Sequence, residues 1–254
     1  MKNEEIKKNV AEFYKDIAVN RDRVIEDKDS LSKSIGYSEE ELENIPKEAN
    51  LGLGCGSPLK IGEAQSGEIV VDLGCGKGMD VFIASKKVGK NGKVIGIDMT
   101  MDMISEAREL ASKNNYKNVE FRLGEIEHLP IADNTANLVV SNCVINLSID
   151  KQGVYNDIYR ILKPGGRISI SDITLANPLP KEVLENPCMY GSWIAGALTL
   201  DKLTNILKNA GFTDFVIDTK MVSPEYAREW GFEIEIEKYL DDYIRSSTFS
   251  AFKR

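Results

Sequence analysis

The chain has 254 residues, with 40 Asp and Glu against 32 Lys and Arg, a net charge of −8, 42% hydrophobic residues and 28% charged ones. That length accommodates one large domain or a domain with an appendage, and the apolar content suffices for one sizeable core, so disorder, collagen and coiled coil are excluded. Acidic overall and without a Lys/Arg block longer than a pair, it lacks the footprint of a nucleic-acid or anionic-membrane binder, which points to a small-molecule partner.

The first amphipathic segment carries Ile6, Val10, Phe13, Tyr14 and Ile17 at spacings of three and four, whereas residues 20–36 are polar with no clear period. Ser38 followed by Glu41 has the pattern of a capping box, so a short helix starts there and stops near Pro46. Asn50 to Pro58 reads as a glycine-rich loop, able to lie over a neighbouring site. From residue 69 onward the texture alternates. Residues 69–73, 93–97, 119–123, 138–141 and 167–171 are β-branched runs that predict buried strands. Between them, Met103 to Ala111, capped by Thr100, and Val154 to Leu162, ended by Lys163-Pro164-Gly165-Gly166, predict helices. A helix at 200–210 closed by Gly211 and strands at 215–218 and about 245–252 complete the pattern. This βαβ repetition predicts a doubly wound, mostly parallel α/β sheet.

The four cysteines, Cys55, Cys75, Cys143 and Cys188, are scattered with no C-x-x-C pair. That spacing predicts reduced thiols in a cytoplasmic setting, with no disulfide scaffold or zinc ribbon. A single histidine, His128, excludes a multi-histidine metal site and suits a surface loop. The first ten residues lack a signal-peptide core, and no apolar run approaches the roughly 18 residues needed to cross a bilayer, so a soluble, intracellular protein is expected.

The most informative segment is Val70 to Asp80, a strand that enters a turn with Gly74, Gly76 and Gly78 at alternate positions. Such glycines let the backbone turn sharply and approach a ligand closely. Asp98, twenty residues after Gly78 at the end of the next strand, stands where a carboxylate accepts both hydroxyls of a ribose. A dinucleotide fingerprint is G-x-G-x-x-G; here the spacing is G-x-G-x-G with Asp72 just before the turn. That carboxylate repels a pyrophosphate and attracts the ammonium of S-adenosylmethionine, which favours the sulfonium cofactor over a nicotinamide one. Glu125 or the backbone at Ile126 is placed to bond the adenine edge, and Met99 to cover its face. Tyr14 is either a cofactor-covering residue or plain core.

With Asp72–Asp80, Asp98, Gly124–Pro130, Ser141–Leu147 and Leu162–Arg167 in this order, the chain resembles class I S-adenosylmethionine methyltransferases. By Asn50–Pro58, Val94–Asp98 with Met99-Thr100, Asn118–Pro130, Ser141–Leu147 and Arg167–Asp172 it resembles the arsenite methyltransferases among them. The resemblance covers roughly residues 35–210. It implies a Rossmann-like, seven-stranded sheet with an N-terminal helical lid at 1–68, a cofactor domain at 69–254 and a substrate-side insertion at about 173–198. It implies S-adenosyl-L-methionine bound by Asp72, Gly74, Cys75, Gly76, Gly78, Asp98, Met99, Glu125, Ile126, Asn142 and Tyr14. In that family cysteine thiolates hold trivalent arsenic beside the methyl donor, and Cys55 and Cys143 stand at two matching positions. The third expected cysteine is Trp193 here, with Cys188 five residues before it. Two acceptors therefore stay open: As(III) held by Cys55 and Cys143, or a small organic molecule against Trp193.

Overall fold

The computed structural model describes residues 10, 12, 27–180, 194, 196–222 and 240–254. The expectations for Tyr14, Cys188 and Trp193 lie outside the described residues. Helix α1, Lys28–Ser34, is capped by Asp27, whose side chain accepts from Ser30 N. It falls in the stretch expected to be without a period. Its only buried apolar residue is Leu31, and a helix of two turns is too short to display periodicity. Helix α2, Glu39–Glu43, carries both halves of the expected capping box, Ser38 to the Glu41 backbone and Glu41 back to the Ser38 backbone.

Strand β1 (Ile69–Leu73), helix α3 (Met79–Val88), strand β2 (Lys93–Asp98), helix α4 (Met101–Lys113), strand β3 (Val119–Leu123) and strand β4 (Ala136–Asn142) follow. Then come helix α5 (Lys151–Ile161), strand β5 (Leu162–Leu175), the two-residue β6 (Leu198–Thr199), helix α6 (Leu200–Ala210), β7 (Thr213–Met221) and β8 (Ile244–Phe252). Gly211 closes α6 in the left-handed conformation, as expected. Thr100 stands at the N-cap of α4 without a side-chain capping bond; its N–H is taken by Asp98. Lys163 to Gly166 end α5 as expected but already belong to β5.

The sheet order is β3-β2-β1-β4-β5-β8-β7, with β6 on β5. The first five strands pair in parallel, and β8 runs antiparallel to both β5 and β7. This is the expected seven-stranded, doubly wound Rossmann-like sheet, with β6 as a small addition. Along its strands, alternate residues face opposite layers. Val70, Val94 and Leu138 pack with α3 and α4, whereas Val71, Ile95 and Val139 pack with α5 and α6. Burial of each such side chain contributes roughly 1.5–3 kcal/mol, so both faces are anchored and the strand ends are held in fixed positions. Tyr37, Leu42, Ile45, Ala49, Leu59 and Ala64 enter the same apolar layer as α3 and α4. The order reverses between β1 and β4, and the crevice beyond the carboxyl ends of such strands is where these sheets bind ligands. Among the described residues, no helix is long and apolar enough to cross a membrane.

Candidate active site

The glycine turn is pinned to the neighbouring strand: Gly74 N and Cys75 N both donate to Ile97 O, at 2.8 and 3.0 Å. Its φ angles are +67° at Gly74, +51° at Gly76 and +95° at Gly78, a region that costs a side-chain-bearing residue about 1 kcal/mol or more. A Cβ on Gly74 would lie 2.3 Å from Val144, so the turn also requires close contact with the segment after β4. Asp98 accepts from Gly76 N at 3.0 Å and from Thr100 N at 2.8 Å. Both carboxylate oxygens are thereby aimed while retaining lone pairs for a further donor.

Beyond these strand ends lies a cavity of about 1190 Å³, counting its solvent-open mouth. Of the residues expected to bind a cofactor, Asp72, Gly74, Cys75, Gly76, Asp98, Met99, Glu125, Ile126 and Asn142 line it. Gly78 is the N-cap of α3, packed where a Cβ would lie 2.8 Å from Phe121. Val10 from the first amphipathic segment also borders the cavity. His128 is exposed, as expected for a loop.

Asp72, Asp80, Asp98, Glu125 and Glu127 all line this space, and burial shifts the three aspartates. Burial, with repulsion from Asp80 and Asp98, holds Asp72 well above the usual carboxylate range. Burial likewise raises Asp80 to about 7, against the hydrogen bond from Tyr37, whose Oη reaches both oxygens at 3.0 Å. Asp98 is raised by burial against its backbone donors. The Cys75 thiol is pushed up by burial and by Asp98 and Asp72, so it is protonated and unsuited to nucleophilic work. The nearby Lys77 amine is 2.6 Å from Glu106. A cation placed among these carboxyls would draw them back toward their ionised forms.

The opposite wall is built by a staple. Asn142, the last residue of β4, accepts from Cys55 N at 3.0 Å and donates to Gly56 O at 2.7 Å and to Tyr37 Oη at 2.9 Å. Ser246 Oγ, from β8, donates to Cys55 O. Cys143 takes a left-handed φ of +56°, and its N–H donates to Ser171 O at 2.8 Å. The two cysteines are joined as a disulfide with a Cα separation of 6.0 Å. This corrects the expectation of unbridged thiols: the pair is 88 residues apart in sequence, and only the β4 end and the Asn142 staple bring it together. Cys143 borders the cavity, and both cysteines are buried.

The family described as "Methyltransferase domain" matches residues 64–211. An arsenite methyltransferase of Halobacterium salinarum is 45% identical over 88% of this chain and 56% of its own length. The human arsenite methyltransferase is 37% identical over 68% of this chain and 48% of its own length. Among solved structures, an arsenic (III) S-adenosylmethionine methyltransferase from Chlamydomonas reinhardtii is 31% identical with a TM-score of 0.66, covering 88% of this chain and 73% of that one. The chain belongs to the methyltransferase-domain family, on its arsenite methyltransferase branch. It spans about half the length of the curated relatives it matches.

In this methyltransferase chain, three residues of the site carried no assigned role in the sequence reading. Tyr37 and Asp80 form the buried pair beside Asn142, and Asp172 lies next to the cysteines. Asp80 was legible as an acid in the first turn after the glycines. Asp172 lay in a segment that carried the family resemblance but was given no role, and Tyr37 carried no signal, since each acquires its place only through contacts distant in sequence. Glu127, a loop charge in the sequence, accepts from Ser148 Oγ at 2.8 Å.

Proposed function

We propose that the chain is an S-adenosylmethionine-dependent methyltransferase whose acceptor is As(III) held by Cys55 and Cys143. The observation that carries this reading is the pairing of two walls in one cavity: acidic groups at Asp72, Asp80 and Asp98 face it, and Cys143 borders it with Cys55 beside it. The residues present fit the cofactor. Asp98 offers aimed acceptors for a ribose diol. Buried Asp72 and Asp80 suit the cationic ammonium and sulfonium. Ile126 and Met99 supply apolar surface for a base. When bound, the cofactor supplies an already activated methyl carbon.

The chain's own task is then to hold the arsenic lone pair in line and exclude water, an orienting effect that lowers such barriers by roughly 7–11 kcal/mol in favourable cases. No general base is needed for a lone-pair nucleophile. Soft thiolates select a soft trivalent ion, and the disulfide must first be opened by a small thiol, as a reducing cytoplasm provides. We read residues 1–68 as a cap over the cofactor side: Val10, Leu51 and Leu53 border the cavity.

Incubation of the thiol-treated protein with methyl-labelled S-adenosylmethionine, with and without arsenite, tests the reading. Label is expected in a small arsenic-containing product only when arsenite is present. Equal labelling of an organic acceptor without arsenite would refute it.

A further inference from the structure

Resting on that functional reading, we propose that Asp172 is the third group of the arsenic site, anchoring the hydroxyl that As(III) retains after binding Cys55 and Cys143. A two-thiolate site leaves one vertex of the arsenic pyramid without protein sulfur, and among the described residues Cys75 is the one remaining free cysteine. What stands beside the pair is a carboxylate. The Sγ atoms of Cys55 and Cys143 and a carboxylate oxygen of Asp172 lie within 4.8 Å of one another, and all three residues are buried.

The carboxylate is held rigidly. One oxygen accepts from Ile173 N at 2.9 Å and the other from Asn146 N at 3.1 Å. The Ile145 backbone also donates to Asp172, and burial raises its carboxyl to about 7, which leaves one lone pair for a further donor. Lys151 adds positive charge nearby while its amine donates to Asn146 O and Ser148 O at 3.2 and 2.7 Å. The segment after position 193 closes over the same place: Ile194 and Ala197 pack in one apolar cluster with Cys55 and Cys143, and a Cβ on Gly196 would fall 1.9 Å from Asn146 O. Cys143 borders the cofactor cavity, whereas Asp172 borders a separate, small cavity with Lys151 and Tyr155.

The chemistry balances with an external small thiol, R′SH, as reductant. The disulfide RS–SR and two R′SH give two RSH and R′S–SR′. As(OH)₃ and the two RSH then give (RS)₂As–OH and two waters, as two As–O and two S–H bonds break and two As–S bonds and two water O–H bonds form. The remaining hydroxyl donates its hydrogen bond to Asp172.

The test uses the reduced full chain, freed of small thiols and loaded with arsenite alone. X-ray absorption at the arsenic edge is expected to show two sulfur neighbours and one oxygen. Asp172→Ala is expected to weaken arsenite binding about tenfold, the loss of one charge-assisted hydrogen bond, with S-adenosylmethionine affinity unchanged as the check on folding. Asp172→Cys is expected to give three sulfurs and tighter binding. Three sulfurs in the wild type, or an oxygen neighbour persisting in Asp172→Cys, would overturn the assignment of Asp172 while leaving the functional reading intact. Unchanged arsenite affinity in Asp172→Ala would do the same. Failure of the reduced wild type to bind arsenite would overturn both.

Discussion

The two walls of the cavity are assembled differently. The acidic wall comes from one β-turn-α unit, Asp72 to Asp80, plus Asp98 at the end of the adjacent strand, whose carboxylate bonds directly back to Gly76 N. The thiol side meets the cavity at Cys143, from the end of β4, with Cys55 from a loop before the sheet and Asp172 from β5 standing behind it. Its parts meet through Asn142, through Ser246 on β8, which donates to Cys55 O, and through the register of β4 against β5, which sets Asn142 opposite Ser171. A wall made within one unit withstands change elsewhere, whereas a wall made of three segments depends on each. Cofactor binding and acceptor binding are therefore expected to separate cleanly on mutation.

The sharpest separation is expected from Cys143→Ser. Removing one of two thiolates abolishes arsenite-dependent methylation by at least about 100-fold, since a hydroxyl is a poor ligand for a soft ion. S-adenosylmethionine affinity stays within about twofold by calorimetry. Full turnover in this variant would break the distinction between the walls. The converse variant, Asp98→Ala, is expected to weaken the cofactor by roughly 10–100-fold, the range for buried charge-assisted bonds. Arsenite binding to the reduced protein should hardly move.

A pH series sharpens the comparison further. Asp80 faces Tyr37, Asn142, Glu41, Lys87 and Asp72, and its carboxyl sits at about 7, chiefly through burial. A cationic ligand favours the ionised form, so binding below pH 7 must release a proton, and affinity rises with pH from about 6 to 8. For one linked proton the change is at most about tenfold per pH unit. Calorimetry in two buffers of different ionisation enthalpy reads the sign, and proton uptake would contradict the role given to the acidic wall. The smallest effect is expected from Asn142→Ala, which removes the staple to Cys55 N and Gly56 O. Arsenite affinity should fall about three- to tenfold with little change in cofactor affinity, and the reverse pattern would place Asn142 with the cofactor instead.

Much of the sheet was legible because its signals are local. The β-branched runs at 69–73 and 119–123 coincide with β1 and β3, and the capping box at Ser38 and the Gly211 stop were both readable within a few residues. Helix α1 was not, since it buries too little apolar surface to show a period. Lys163 to Gly166 read as a helix stop, yet the segment runs on as the start of β5, bulging between the pairs at Leu162 and Arg167 and bonded to Lys253 through Gly165 N and Gly166 O.

By itself the sequence determined the glycine turn, the acid before it and Asp98 beyond it. These are read within one βαβ unit, where hydrogen bonding and chain geometry act over a few residues. It also named Cys55 and Cys143 as a pair, though through resemblance and not through spacing. Only the tertiary structure decided that the two sulfurs touch, that Asn142 ties their segments together and that Asp172 stands beside them. Those contacts follow from the register of β4 on β5 and from the loop folded over the strand ends. Burial and long-range hydrogen bonds create that proximity, and neither leaves a period or a motif in the chain.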